Sequence, residues 1–136
     1  MTLQRSSITP AGTTAPLGAY SPAIAITIGE ARLVFVSGLL PLDANGNLVG
    51  DDIEAQTRCV FDGLRSVLEA SGGRLEHTVK VQIFLTDIGE YGTVSTIRNE
   101  YLGTARPAST LVEVSALAKP GCRIEIDAVA AIENGQ

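Results

Sequence analysis

The carboxylate at position 125 is the side chain whose surroundings most clearly suggest chemistry. Glu125 lies between Ile124 and Ile126 in an alternating apolar and polar run, so it lies on the strand face opposite the isoleucines. A lone carboxylate there lowers stability unless it is paired or faces a hydrated pocket. One interpretation is an ion pair with Arg123 or Arg106. The other is a pocket carboxylate that handles a water molecule, with a pKa raised by partial burial.

Other side chains that often perform catalysis do not form the usual motifs. His77 is the sole histidine and no G-x-S-x-G elbow is present, so a serine hydrolase triad is not indicated. Cys59 and Cys122 match neither a zinc site nor a C-x-x-C redox pair. The phosphate-binding patterns G-x-G-x-x-G and G-x-x-x-x-G-K-[ST] and the D-x-D-x-D-G calcium loop do not occur. We therefore expect no metal and no cofactor.

The composition is that of a globular chain and argues against two classes of partner. Hydrophobic residues make up 45% of the 136 residues and charged residues 18%, so we expect one domain over residues 1–136. The net charge of −5 and the scattered basic residues argue against nucleic-acid and membrane partners. No signal peptide is apparent and no apolar run is long enough to cross a bilayer, so the expected location is the cytoplasm.

Periodicity predicts the elements that position these side chains. Alternation indicates strands at residues 23–28, 32–37, 79–85, 110–117 and 123–132. A helical stripe begins at Asp51, which with Glu54 has the spacing of a capping box, and a second helix begins near Asp87 and ends at Gly103. The residues that the second helix is expected to bury are Tyr91, Val94, Ile97 and Tyr101. Residues 2–18 are predicted to form an extended, loosely ordered arm.

The resulting order is β-β-α-β-α-β-β, which predicts an α+β domain. Two β-α-β passages indicate parallel neighbours, and a hairpin at each end indicates antiparallel ones. Residues 106–130 are predicted to form the second hairpin, with a Lys-Pro-Gly turn at 119–121. A mixed sheet with both helices on one face follows. The other face, with Val36, Phe84 and Val112, is too apolar to remain in water, so self-association is expected.

Short motifs between residues 18 and 130 resemble one protein family. They are Gly18-Ala19-Tyr20-Ser21-Pro22, Phe35-Val36-Ser37-Gly38, Ala55-Gln56-Thr57-Arg58, Val79-Lys80-Val81, Pro107-Ala108, Val112-Glu113-Val114 and Ile124-Glu125-Ile126-Asp127-Ala128. In order and spacing, this set resembles the RidA family, also called YjgF and formerly labelled endoribonuclease L-PSP. The resemblance implies a chorismate-mutase-like fold and a homotrimer with sites in the clefts between subunits. It also implies hydrolysis of enamines and imines to keto acids and ammonia without a cofactor.

The resemblance assigns roles to three residues. Tyr20 would close the pocket, Ser37 would line it, and Glu125 would orient the attacking water. A small-molecule hydrolase acting on an enamine or imine is therefore our first functional hypothesis, since its chemistry needs a positioned water and an acid-base carboxylate.

The sequence departs from the family at the position that recognises the substrate. The family motif Pro-Ala-Arg-Ser, whose arginine binds the substrate carboxylate, is here Pro107-Ala108-Ser109-Thr110. Two further positions carry Leu111 in place of a common cysteine and Ser95 in place of an asparagine. Arg106 either reaches into the pocket instead or forms an ion pair at the surface or subunit interface. The substrate is therefore expected to be less anionic, or larger, than 2-iminopropionate.

The same departure supports a hypothesis from another class. Without the arginine, the chain could be a non-catalytic trimer that binds a metabolite or a protein partner in the same clefts. Ribonuclease action, which the older family label suggests, is disfavoured by the net charge of −5 and the absence of a histidine pair.

Overall fold

The fold is a six-stranded mixed sheet with two helices packed on one face. The computed structural model describes residues 3–13 and 18–133. The strands are β1 (Leu3–Ile8), β2 (Ala23–Ile28), β3 (Ala31–Leu39), β4 (Thr78–Leu85), β5 (Ala108–Glu113) and β6 (Ile124–Glu133), and the helices are α1 (Ile53–Ala70) and α2 (Tyr91–Leu102). The strand order is β1-β2-β3-β6-β4-β5. The predicted α+β class, with a mixed sheet and two helices, is confirmed.

β1 lies where the sequence predicted a loosely ordered arm. It pairs antiparallel with β2, with Leu3 opposite Ile28 and Ile8 opposite Ala23. The strand lies at the edge of the sheet, and every side chain except the half-buried Ile8 is exposed. Backbone hydrogen bonds to β2 therefore hold β1 in the sheet, and a search of the sequence for apolar alternation does not detect such bonds. The part of the predicted arm at residues 14–17 lies outside the described residues.

The predicted hairpin of residues 106–130 is wrong, although both of its strands exist. β4 lies between β5 and β6, pairing parallel with β5 and antiparallel with β6. The crossover through α2 places β5 at the far edge of the sheet, and the chain returns to insert β6 between β3 and β4. For the same reason, β3 and β4 run parallel but are not neighbours. Alternation identified the strands and did not identify their partners.

The helix starts differ from the prediction by one turn or less. Asp52, rather than Asp51, is the N-cap of α1, and its Oδ1 accepts a hydrogen bond from the Ala55 N–H at 2.7 Å. Asp87 caps a single 3₁₀ turn, Ile88–Glu90, from which α2 continues. Tyr91 is therefore in the first turn of α2 and is 50% exposed, which corrects its predicted burial.

The core lies between the helices and one face of the sheet. Val94 and Ile97 of α2 are buried, and Tyr101 is half-buried against the core. The largest fully buried apolar side chains of the core are Phe61, Leu64, Leu68, Ile83, Leu85, Ile124 and Ile126. No helix among the described residues is long and apolar enough to span a membrane.

The outer face of the sheet is apolar, with one change from the predicted set. Val36 is buried on the helix side, 5% exposed, because it shares that face with Val34. Its neighbour Phe35 is on the outer face instead and is 45% exposed. Phe84 and Val112 are adjacent in register and lie on this face as predicted, half-buried and exposed respectively.

Candidate active site

Glu125 lies on the outer face of β6, between β3 and β4. Ile124 and Ile126 are buried towards the helices, and Glu125 alternates with them and is half-buried. Its side chain packs over Gly38 near the end of β3. A β-carbon on Gly38 would lie 2.9 Å from Glu125 Cδ and closer still to Oε2. The missing side chain at position 38 therefore provides the space that the carboxyl group occupies.

Two carboxyl groups with raised pKa values follow one another on this face. Partial burial raises the pKa of Glu125, and the negative charge of Asp127 raises it further. Burial likewise raises the pKa of Asp127, while Lys80 lowers it. With its amide nitrogen oriented towards Asp127, Gln82 donates to the two carboxylate oxygens at 3.0 and 3.2 Å. In the described part of the chain no side chain donates in this way to Glu125, whose carboxyl stays available for a ligand or a water.

Arg123 does not neutralise Glu125. Its Nη1 donates to both carboxylate oxygens of Glu90 at 3.1 and 3.0 Å, and its Nε donates to the Asp51 carbonyl oxygen at 2.8 Å. The interpretation of Glu125 as the ion-pair partner of Arg123 is therefore wrong. Arg123 immediately precedes β6, and its charged end points towards the start of the two helices, where Asp51 and Glu90 hold it.

Gln56 of α1 fixes the entry of β6 and so the position of Glu125. This glutamine is fully buried, and its Nε2 donates to the carbonyl oxygens of Gly50 and Gly121 at 2.8 and 2.9 Å. Its Oε1 accepts a hydrogen bond from the Arg123 N–H at 2.7 Å. One side chain therefore satisfies three backbone groups in two segments that are distant in sequence. Ile124, the first residue of β6, comes directly after Arg123 in the chain, so these hydrogen bonds fix where β6 begins.

A cavity of about 500 Å³ opens beside Gly38. Tyr20 and Ser37 line it together with Gly38, and the remaining walls come mainly from the segment 39–46 and from α1. Ser37 Oγ donates to the Ser21 carbonyl oxygen at 2.6 Å, and the Ser37 N–H donates to the Pro22 carbonyl oxygen at 2.9 Å. These bonds attach the segment that carries Tyr20 to β3. The structure thus brings Tyr20 and Ser37 together at this cavity, whereas Glu125 does not line it and is near it only because its carboxyl packs over Gly38.

A second cavity, of about 560 Å³, lies where α2 ends and β5 begins. Arg106 and Ser109 line it, as does Arg98 of α2. Ser109 is opposite Val81 in the parallel register, and Val81 is buried on the helix side of the sheet. Ser109 and Arg106 are therefore placed together, but within one protomer they lie apart from Glu125, which is on the other face.

Leu111 and Ser95, like Glu125, line neither cavity. Leu111 is opposite Ile83 and packs against the core. Ser95 lies on α2, and its Oγ is buried without a hydrogen-bond partner in the described structure. Among the described residues, no group of three histidine, cysteine or acidic side chains has the arrangement of a metal site. His77 has a structural role, because its Nδ1 accepts a hydrogen bond from the Arg74 N–H at 2.9 Å.

Comparison with known proteins decides which family this fold represents. The family model described as endoribonuclease L-PSP matches residues 12–132. The chain belongs to the RidA (YjgF) family. The protein DfrA of Myxococcus xanthus is 41% identical over 115 residues, which cover 84% of this chain and 86% of that protein. The 3-aminoacrylate deaminase RutC of Acinetobacter baylyi is 38% identical over 129 residues, 94% of this chain and 98% of that protein.

Solved structures agree with this assignment. The Rid-family protein YyfA of Yersinia pestis superposes with a TM-score of 0.84 and 36% sequence identity, covering 95% of this chain and all of that one.

Three residues that shape the site of this RidA protein were not predicted to do so. Gly38 and Gln56 occur within the motifs that carry the family resemblance, but one sequence does not show what they contact. Asp127, two residues after Glu125, has the alternation that places both carboxyl groups on one face. The sequence alternation of β6 therefore already indicates that the Glu125 and Asp127 carboxyl groups are close enough to influence one another electrostatically.

Proposed function

We propose that this protein hydrolyses a small enamine or imine to a carbonyl compound and ammonia, with Glu125 as the acid-base residue. The observation that carries the proposal is the half-buried Glu125 carboxyl, whose pKa is raised and whose position depends on the missing side chain of Gly38. A carboxyl with a raised pKa is closer to the pH at which it can both accept and donate a proton. Similarity to the deaminase RutC supports the same reaction class.

The reaction needs one water and one group that stores a proton. The Glu125 carboxylate would take a proton from water as the water oxygen bonds to the carbon of the protonated imine, which gives a neutral carbinolamine. The Glu125 carboxyl would then give this proton to the amine nitrogen, and the carboxylate would take the hydroxyl proton as the C–N bond breaks, releasing ammonia and leaving C=O. For an enamine, protonation of carbon by the neutral carboxyl would come first and give the iminium ion.

The substrate is proposed not to be a simple 2-imino acid. The position of the family's carboxylate-binding arginine is Ser109, an exposed hydroxyl that carries no charge. A charge-assisted hydrogen bond contributes roughly 1.5–3 kcal/mol, so its loss weakens a 2-imino acid by at least about tenfold. We expect Ser109→Arg to raise kcat/KM for 2-iminopropionate and to leave uncharged imines unaffected.

The complete site is proposed to form between copies of the chain in a homotrimer. Glu125 and Ser109 lie on opposite faces of the sheet in one protomer, so a ligand that contacts both needs a second copy. The apolar outer face around Phe35 and Val112 is the surface that such an assembly would cover. A cytoplasmic location is proposed with it, and the two free thiols, Cys59 and Cys122, accord with a reducing compartment.

The test compares two neighbouring carboxyl groups of the same strand. Small imines and enamines without a carboxylate serve as the main substrates, with 2-iminopropionate and 3-aminoacrylate as the carboxylate-bearing comparison, and carbonyl product is followed over the uncatalysed rate. Glu125→Gln should abolish turnover, since the amide cannot shuttle a proton. Asp127→Asn is the matched control, because Asp127 shares the face but is hydrogen-bonded by Gln82; it should keep turnover and shift its pH dependence to lower pH, since the Asp127 charge raises the pKa of Glu125. Equal activity in wild type and Glu125→Gln would refute the proposed role.

A non-catalytic binding protein of the same fold is the second candidate, and the absence of the arginine at Ser109 favours it. It predicts no turnover by the wild type on any of these substrates. In that case, a ligand that raises the melting temperature of the wild type and not of Glu125→Gln would locate binding at the same site.

A further inference from the structure

The second cavity is lined by basic and neutral side chains. Arg98, Asn99, Arg106 and Ser109 contribute its polar groups, and none of the described residues that line it is acidic. The cavity is lined by side chains from the end of α2, from the following loop and from the start of β5. It therefore forms only when these segments pack together in the folded chain.

Neither arginine of this cavity has a carboxylate partner among the described residues, which is also true of Arg5 and Arg32 but not of the other four arginines. Four arginines form ion pairs with acidic side chains, and these are Arg58, Arg65, Arg74 and Arg123. Arg98 instead contacts the neutral Asn99, with Nε and Nη2 each 3.2 Å from its Oδ1. For Arg106, no hydrogen bond of the guanidinium occurs within the described residues. Two positive charges therefore remain uncompensated at one cavity.

The backbone of Arg106 is strained in a way that a glycine would avoid. Its φ is +47°, and it is the one non-glycine residue of the described chain in the left-handed region. Its N–H donates to the Leu102 carbonyl oxygen at 2.9 Å, which holds this turn at the end of α2. Non-glycine residues rarely adopt this conformation, and such residues are concentrated at functional sites. A glycine would fit this position without strain, so the presence of an arginine here points to a function of its side chain.

We propose that this cavity binds the phosphate group of a small phosphorylated molecule. Two guanidinium groups match a phosphate monoester, which carries a charge of about −1.5 to −2 at neutral pH, better than they match a single carboxylate. The Ser109 hydroxyl can donate to a third oxygen. The volume of about 560 Å³ has room for a phosphate together with part of the molecule that bears it. The proposal does not rest on the hydrolytic activity, because binding is measured without turnover.

The experiment is a titration of the ¹⁵N-labelled protein with inorganic phosphate at constant ionic strength, followed by NMR, with acetate as the carboxylate comparison. We expect saturable shifts of the Arg98 and Arg106 Nε–H signals and of the Ser109 amide with phosphate, and weaker binding of acetate. Arg98→Gln should weaken phosphate binding by about tenfold, as expected for a lost charge-assisted bond. Arg65→Gln is the matched control, because Arg65 is also a helical arginine but pairs with Asp62.

Arg106→Gly separates loss of binding from loss of folding. Glycine adopts positive φ without strain, so this variant should melt at a higher temperature while its affinity for phosphate falls. Three results would overturn the proposal: no saturable response to phosphate, an equal loss of affinity in Arg65→Gln, or acetate binding as tight as phosphate. The last result would identify a carboxylate site.

Discussion

Substituting Gly38 by alanine tests whether the position of the Glu125 carboxyl matters for function. The added β-carbon would lie 2.9 Å from Glu125 Cδ, whereas carbon atoms in ordinary contact are about 3.5–4.0 Å apart. The carboxyl carbon must therefore retreat by about 1 Å. Gly38 does not have a positive φ, so its backbone accepts alanine. Because the end of a flexible side chain absorbs the clash, we expect a stability change within about 1 kcal/mol.

The expected effect on activity is much larger than the effect on stability. A displacement of about 1 Å at a reacting group can lower the rate by about 100-fold, and we expect a loss of this order in kcat/KM. Imine hydrolysis and urea unfolding are measured on the same preparations. Gly92→Ala is the control, because a β-carbon there meets nothing within 4 Å. A folded Gly38→Ala protein with wild-type kcat/KM would refute the reasoning, since the carboxyl position would then be irrelevant.

Three further predictions follow from the described contacts. The folded-state pKa values of Glu125 and Asp127 are raised. Each group therefore contributes its full stabilisation when the pH is below its ordinary pKa, and this contribution is lost as the pH rises through its raised, folded-state pKa. Thermal melts should therefore show that Glu125→Gln gains most over wild type near neutral pH and nothing near pH 4, and a gain independent of pH would contradict this. Gln56→Leu leaves three backbone groups unsatisfied, including the Arg123 N–H, and should lower the free energy of unfolding by about 3 kcal/mol in urea, whereas the exposed Gln4→Leu should have little effect. Light scattering should give about three times the 14.2 kDa of the chain, and Phe35→Asp should reduce the mass to that of one chain; a wild-type monomer would contradict the proposed cleft.

The sequence determined the elements that bury a regular apolar face. The stripe of α1 and the alternation of β4 and β6 were predictable, because these elements pack against the core along their whole length. The alternation of β6 also placed Glu125 on the face opposite Ile124 and Ile126. The ordered motifs were sufficient to recognise the RidA family, which the comparison confirmed.

Tertiary structure alone decided which elements and side chains are partners. Periodicity reports which face of an element is buried, whereas strand pairing depends on backbone hydrogen bonds, and this is why β1 was missed and why β5 and β6 were wrongly paired. The same limit applies to the site. Arg123 is next but one to Glu125 in the chain yet bonds to Glu90, and Gly38 is far from Glu125 in the chain yet provides the space for its carboxyl group. Contacts between residues distant in sequence form only when the sheet brings β3, β6 and β4 together, because that packing, and not the local pattern, sets which atoms meet.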